Sequence, residues 1–122
     1  MKILKFILFS ILISNVLNTY SQDTINAKFH GLGGFQKYLP KHMMYPNEAA
    51  ANGISGNVEF KIKIRTDGCI EKDSIIILSS PDIILSNEVI RAIKTSECKW
   101  TPSKIGNKPV TSWYKACVNF TL

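Results

Sequence analysis

Val58, Phe60, Ile62 and Ile64 alternate with Glu59, Lys61, Lys63 and Arg65. This strict period of two puts one set of side chains in a core and the other in water, which is a strand with one wet face. Asp67-Gly68 follows at once, a strong hairpin signal, so a second strand has to return antiparallel over roughly residues 69–78. Its pattern is less regular. Ile70 shares parity with Ile76, whereas the core face is expected to hold Ile75 and Ile77, and a bulge reconciles the two stretches.

Helices are expected on either side of this hairpin. Phe35, Tyr38 and Leu39 recur at i, i+3 and i+4, but Pro40 and Pro46 limit that segment to a brief helix or turn. Pro46-Asn-Glu-Ala-Ala-Ala51 opens a second helix, with Glu48 placed well against the helix dipole and Asn52-Gly53 closing it. After Ser80-Pro81, Leu85, Val89 and Ile93 form one apolar stripe, with Ser86, Asn87, Arg91 and Lys94 expected on the other side. Trp100 and Pro102 end that helix, and Asn107-Lys-Pro109 marks a turn. In the final strand Val110, Ser112, Tyr114, Ala116, Val118, Phe120 and Leu122 share one parity, and Trp113, Lys115, Cys117, Asn119 and Thr121 the other. The order helix, strand, strand, helix, strand predicts an α+β domain, a three-stranded antiparallel sheet with two helices on one face.

The chain opens with Lys2 and Lys5, then runs mostly apolar from Phe6 to Leu17. About twelve residues fall short of the ~20 a spanning helix needs. With small residues at Thr19 and Ser21, a signal peptide over residues 1–21 and export to the periplasm are expected, an uncleaved inner-membrane signal anchor being the alternative. Residues 22–34, ending in Gly33-Gly34, read as a short flexible tether, and residues 35–122 as the domain. Two of the fifteen basic residues lie in the leader, which leaves thirteen against nine acids, a net charge of +4. That surplus suits contact with acidic peptides or anionic envelope surfaces, or serves solubility alone. The bases are scattered, which argues against nucleic acid.

Cys69, Cys98 and Cys117 leave at least one thiol unpaired in any disulfide scheme, and a Cys98–Cys117 bridge is one possibility. No spacing matches a zinc site, and His30 and His42 stand alone, so no metal or cofactor is expected. A thiol enzyme or redox carrier is a weak reading. Cys98 falls near a helix C-terminus, where a thiolate is disfavoured, and no Cys-x-x-Cys occurs.

Taken in order, Tyr45-Pro46, Ala49, Gly53-Ile54, Gly56, Val58, Phe60, Asp67-Gly68, Ile70, Ser79-Ser80, Leu85, Val89, Arg91, Trp100, Pro102, Gly106, Val110, Phe120 and Leu122 resemble the C-terminal domain of TonB over some ninety residues. The resemblance implies a binding module and not an enzyme. Its partners would be outer-membrane TonB-dependent transporters, whose TonB-box segment pairs with an edge strand, and no small-molecule substrate is implied. Carried onto this chain, that edge falls on Ser112, Trp113, Tyr114, Lys115, Ala116, Cys117, Val118 and Asn119, with His42, Met43 and Met44 beside it. Trp113 would anchor a ligand side chain, and Lys115 would either attract an acidic one or discourage aggregation at the edge.

The chain departs from a full-length TonB in showing no membrane anchor and no long proline-rich linker. Residues 18–34 would extend only about 55 Å. Support or modulation of transport is therefore expected over direct energy transduction by this polypeptide alone. A self-associating envelope scaffold, a homodimer through the free edge, is the alternative.

Overall fold

In a computed structural model, residues 23–122 are described, and the expected signal peptide lies outside them. The centre is a sheet of order β4-β3-β8, with β3 at Gly56–Ile64, β4 at Ile76–Ser79 and β8 at Ser112–Phe120. Both neighbours run antiparallel to β3. Val58, Phe60, Ile62 and Ile64 are fully buried, as their alternation requires. Against that face pack α1 (Phe35–Lys41), α2 (Asn47–Ala51) and α3 (Ile83–Lys94), which contribute buried Phe35, Leu39, Ala49, Leu85, Val89 and Ile93. The class is α+β, as expected. The first segment is a brief helix, one of the two expected forms, with Pro40 inside its last turn.

In α3 the apolar stripe falls as predicted, with Asp82 as N-cap accepting from the Ile84 N–H at 2.8 Å. Ser86, expected outward, is buried instead. Its hydroxyl donates to the Asp82 carbonyl, which satisfies it within the helix.

The return from β3 is tighter and more irregular than a plain bulge. The Gly68 N–H donates to Arg65 and the Arg65 N–H to Cys69, with Gly68 at φ +83°. That is a three-residue hairpin loop ending in a left-handed glycine. Ile70 forms a single bridge to Ile64, and residues 71–75 then leave the ladder. Buried Ser74 fills the gap: its Oγ accepts from the Lys63 N–H at 3.1 Å and donates to the Glu71 carbonyl at 2.7 Å. This excursion lets Ile70 point inward and still brings Ile75 and Ile77 to the half-buried side. The regular part of the expected second strand is confined to β4.

Of the tether expected over residues 22–34, the described part, 23–34, is paired to the domain. Thr24–Ile25 (β1) pairs with Ser103–Ile105 (β6), and Lys28–Phe29 (β2) with Trp100–Thr101 (β5). Phe29 makes this attachment worthwhile: its ring lies 5.4 Å from Trp100, 5.3 Å from Phe35 and 4.5 Å from Tyr38. β6 turns through Gly106-Asn107 into Lys108–Val110 (β7), so Lys108 and Pro109 lie in a strand and not in the expected turn. Thr111 separates β7 from β8, so Val110 is not part of the final strand, which ends at Phe120 and leaves Leu122 exposed.

The expected possibility of a Cys98–Cys117 disulfide is replaced by Cys69–Cys98. Two backbone bonds, Ile70 N–H to Glu97 and Trp100 N–H to Gly68, lay the hairpin loop beside the segment after α3 and bring those cysteines together. Cys117 points outward from β8, opposite Glu59, and is free and exposed.

Candidate functional site: an unpaired edge strand

β8 contributes nine residues to its ladder with β3, from Ser112↔Ile64 to Phe120↔Gly56. Its other edge pairs with no strand among the described residues. Along this edge Tyr114, Ala116 and Val118 turn toward the helices and are half-buried, while Trp113, Lys115, Cys117 and Asn119 are exposed on the open face. The predicted parity therefore holds through the strand.

A trough follows the edge on the helical side. One part, about 430 Å³, is lined by Phe35, Gln36, Leu39 and Pro40 of α1 and by Tyr114 to Val118. The other, about 350 Å³, lies between Pro40, Met43, Met44 and Tyr45 and Cys117 to Thr121. Pro40, Cys117 and Val118 belong to both, so the two parts are continuous. Tyr114 closes the inner end under Phe35 and Trp100, and burial pushes its phenol pKa up.

The wall opposite the strand is held by specific bonds. Tyr45 donates its hydroxyl to the Ile54 carbonyl and meets Phe120 edge-on at 5.5 Å, tying the end of α2 to the end of β8. Glu88, on α3, accepts the Met44 N–H at 2.6 Å. Arg91, one turn on, grips Glu88 with two bonds of 2.7 and 2.8 Å and donates to the His42 carbonyl at 2.7 Å. The Arg91 hydrogen bond, with the Met44 N–H and the Arg91 charge adding to it, holds the Glu88 carboxyl below its ordinary pKa against a smaller opposing effect of burial.

Among the residues expected at the site, the trough unites Met43, Met44, Tyr114, Lys115, Ala116, Cys117, Val118 and Asn119. Three others do not line it, although Ser112 and Trp113 stand on the same strand. The His42 ring stacks on Tyr38 at 3.9 Å, and its Nδ1 bonds the Tyr38 carbonyl at 2.9 Å. The Ser112 hydroxyl is engaged with Ser103 at 2.6 Å. Trp113 lies on the open face beneath Lys61 and Lys63, whose ammonium groups stand 4.6 and 5.0 Å from its ring centre. Sequence reading missed Gln36, Leu39, Pro40 and Tyr45 as trough walls and Glu88 with Arg91 as its clamp. The i, i+3 spacing of Glu88 and Arg91 was a visible pairing signal, but it did not disclose the distant backbone that the pair holds.

The buried Trp100 indole N–H meets no acceptor among the described residues, and phenyl and phenol rings surround it. Those residues also contain no cluster of three or more His, Cys, Asp or Glu side chains placed to hold a metal ion. No helix among them is long and apolar enough to cross a membrane.

Comparison with known proteins gives the architecture its relatives. No match is found among the curated proteins. A solution structure of the Helicobacter pylori TonB C-terminal domain is 24% identical, covers 71% of this chain and 76% of that one, and has a TM-score of 0.57. A shorter form of the same domain is 26% identical, covers 70% and 87% respectively, and has a TM-score of 0.53. Residues 41–122 match the family model of the Gram-negative bacterial TonB protein C-terminal region. The match takes in the edge strand, the Met43 to Tyr45 part of its opposing wall and the central sheet, and the chain belongs to the TonB C-terminal domain family, a family of protein-interaction domains in TonB-dependent transport.

Proposed function

We propose that this protein is a periplasmic binding domain that takes up an extended segment of an outer-membrane transporter, its TonB box, as a fourth strand along β8. The carrying observation is an unpaired nine-residue strand edge with a walled trough beside it. Backbone groups along such an edge supply affinity for any extended chain. The side chains of alternate residues then choose among chains, one set entering the trough and the other lying on the open face. Met43, Met44, Leu39 and Pro40 favour apolar side chains on the trough side. The protein would support or modulate TonB-dependent transport by binding and carry out no chemistry of its own.

The test is a titration of isotope-labelled protein with TonB-box peptides from transporters of the same organism. Amide shifts concentrated at Tyr114 to Asn119 and at Met43 and Met44 are expected. A folded spectrum unchanged at high micromolar peptide would overturn the reading. In that case sedimentation under oxidising and reducing conditions would test pairing of the edge with a second copy.

A further inference from the structure

We infer that the hollow between the end of α3 and the excursion at residues 71–75 is a second binding site. Its ligand is a small zwitterion with an apolar body, of the chemistry of a free aliphatic amino acid. The hollow shares no lining residue with the trough, so the inference stands whether or not β8 takes up a strand.

The hollow opens where the chain leaves the ladder between Ile70 and β4. It holds about 300 Å³ and is lined by Ile70, Lys72, Asp73, Ile75, Lys94 and Glu97. That volume lies at the small end of ligand sites. Ile70 is buried and Ile75 half-buried, and together they supply its apolar floor. Both walls are anchored. The Ile70 N–H donates to the Glu97 carbonyl at 2.7 Å, and the Cys69–Cys98 disulfide joins the same two segments one residue away on each. The Ser74 hydroxyl ties the excursion to β3 through the Lys63 N–H. A site held in this way needs little ordering when a ligand enters.

The charges around the floor set the ligand's chemistry. Each wall carries one group of each sign, Lys72 and Asp73 on the excursion, Lys94 and Glu97 at the end of α3. None of the four forms an ion pair among the described residues. The rim is neutral as a whole, two ammonium groups against two carboxylates. A ligand with a net charge is attracted by one pair and repelled by the other, whereas one carrying both signs finds a partner for each. The C-terminal end of a helix favours positive charge. The ligand's ammonium therefore belongs against Glu97, and its carboxylate turns to Lys72 and Lys94, which reach in from the two walls. Its apolar body rests on Ile70 and Ile75.

Four probes titrated into the isotope-labelled protein at pH 7 and low salt test this. Leucine has the apolar body and both charges, 4-methylpentanoate lacks the ammonium, isopentylamine lacks the carboxylate, and serine lacks the apolar body. Leucine is expected to bind most tightly, with amide shifts at residues 70–75 and 94–98. Removing either charge should weaken binding about two- to five-fold. Removing the apolar body should weaken it about ten-fold. Glu97→Gln is expected to weaken leucine and isopentylamine and spare 4-methylpentanoate, and Lys94→Gln to weaken leucine and 4-methylpentanoate and spare isopentylamine. A role in folding alone would not divide the probes in this way. The charge-dependent differences should shrink as salt rises. Equal affinity for leucine and the two singly charged probes would overturn the zwitterion preference. A folded spectrum with no shift at residues 70–75 and 94–98 at tens of millimolar leucine, or with shifts only along the trough, would overturn the site itself.

Discussion

Glu88 on α3 accepts the backbone N–H of Met44 at 2.6 Å, forty-four residues away in sequence. With Arg91 holding the His42 carbonyl, this single carboxylate determines where the wall of the trough stands. The Glu88 side chain is only 11% exposed, while its partners Met44 and Arg91 stand open to solvent. Replacing Glu88 by Ala strands the Met44 N–H and one face of Arg91 together. A loss of about 0.5–1.5 kcal/mol of stability is expected in denaturant titrations. Amide exchange at Met44 should rise more than exchange in β3.

The same carboxylate makes stability depend on acid. Its folded pKa lies below the ordinary value of 4.5. The contribution is therefore fully present above about pH 4.5 and is lost as the pH falls through the depressed folded value. Asp67, also depressed, chiefly by the Cys69 N–H, works in the same direction. Denaturation midpoints measured from pH 7 downward should converge for the natural protein and Glu88→Gln at low pH. A constant gap between the two would show that Glu88 does not titrate with folding.

The disulfide assignment predicts a thiol count. One thiol, Cys117, should react in the native protein and again in denaturant without reductant, and three after reduction. Replacing Cys69 and Cys98 by Ser opens a loop with a sequence separation of 29. A loss of at most roughly 3–4 kcal/mol is expected from loop entropy. Replacing Cys117 by Ser should leave stability within about 0.5 kcal/mol.

Two glycines separate backbone conformation from close packing. Both have positive φ, +67° at Gly53 and +83° at Gly68. A Cβ on Gly53 would meet nothing within 4 Å, whereas one on Gly68 would fall 2.2 Å from the Trp100 carbonyl oxygen. Gly53→Ala is expected to cost about 1–2 kcal/mol from conformation alone. Gly68→Ala should cost distinctly more in the same thermal or chemical melts, because the backbone carrying Trp100 must move as well.

The central strand, the helix stripes and the parity of β8 were all legible because each depends on local periodicity. Val58 to Ile64 alternates whatever packs above it, and Leu85, Val89 and Ile93 recur at the helical repeat. The trough was only half legible. Residues on β8 could be named from parity, but Leu39 and Pro40 show nothing in sequence that places them beside Ala116. Trp113 and Ser112 shared the strand with the site yet bonded elsewhere, Trp113 beneath lysines of β3 and Ser112 with Ser103.

Cysteine pairing and the path of residues 23–34 lay beyond any local pattern. Cys69 meets Cys98 because two backbone hydrogen bonds align the loops that carry them, and Phe29 fastens the N-terminal segment because Trp100, Phe35 and Tyr38 present rings to it. Periodicity in the chain thus determined which elements form and which faces they bury, since those follow from the rise and twist of each element alone. Contacts between elements distant in sequence decided where the wall, the staple and the clamp lie, since their energies exist only after the elements have packed.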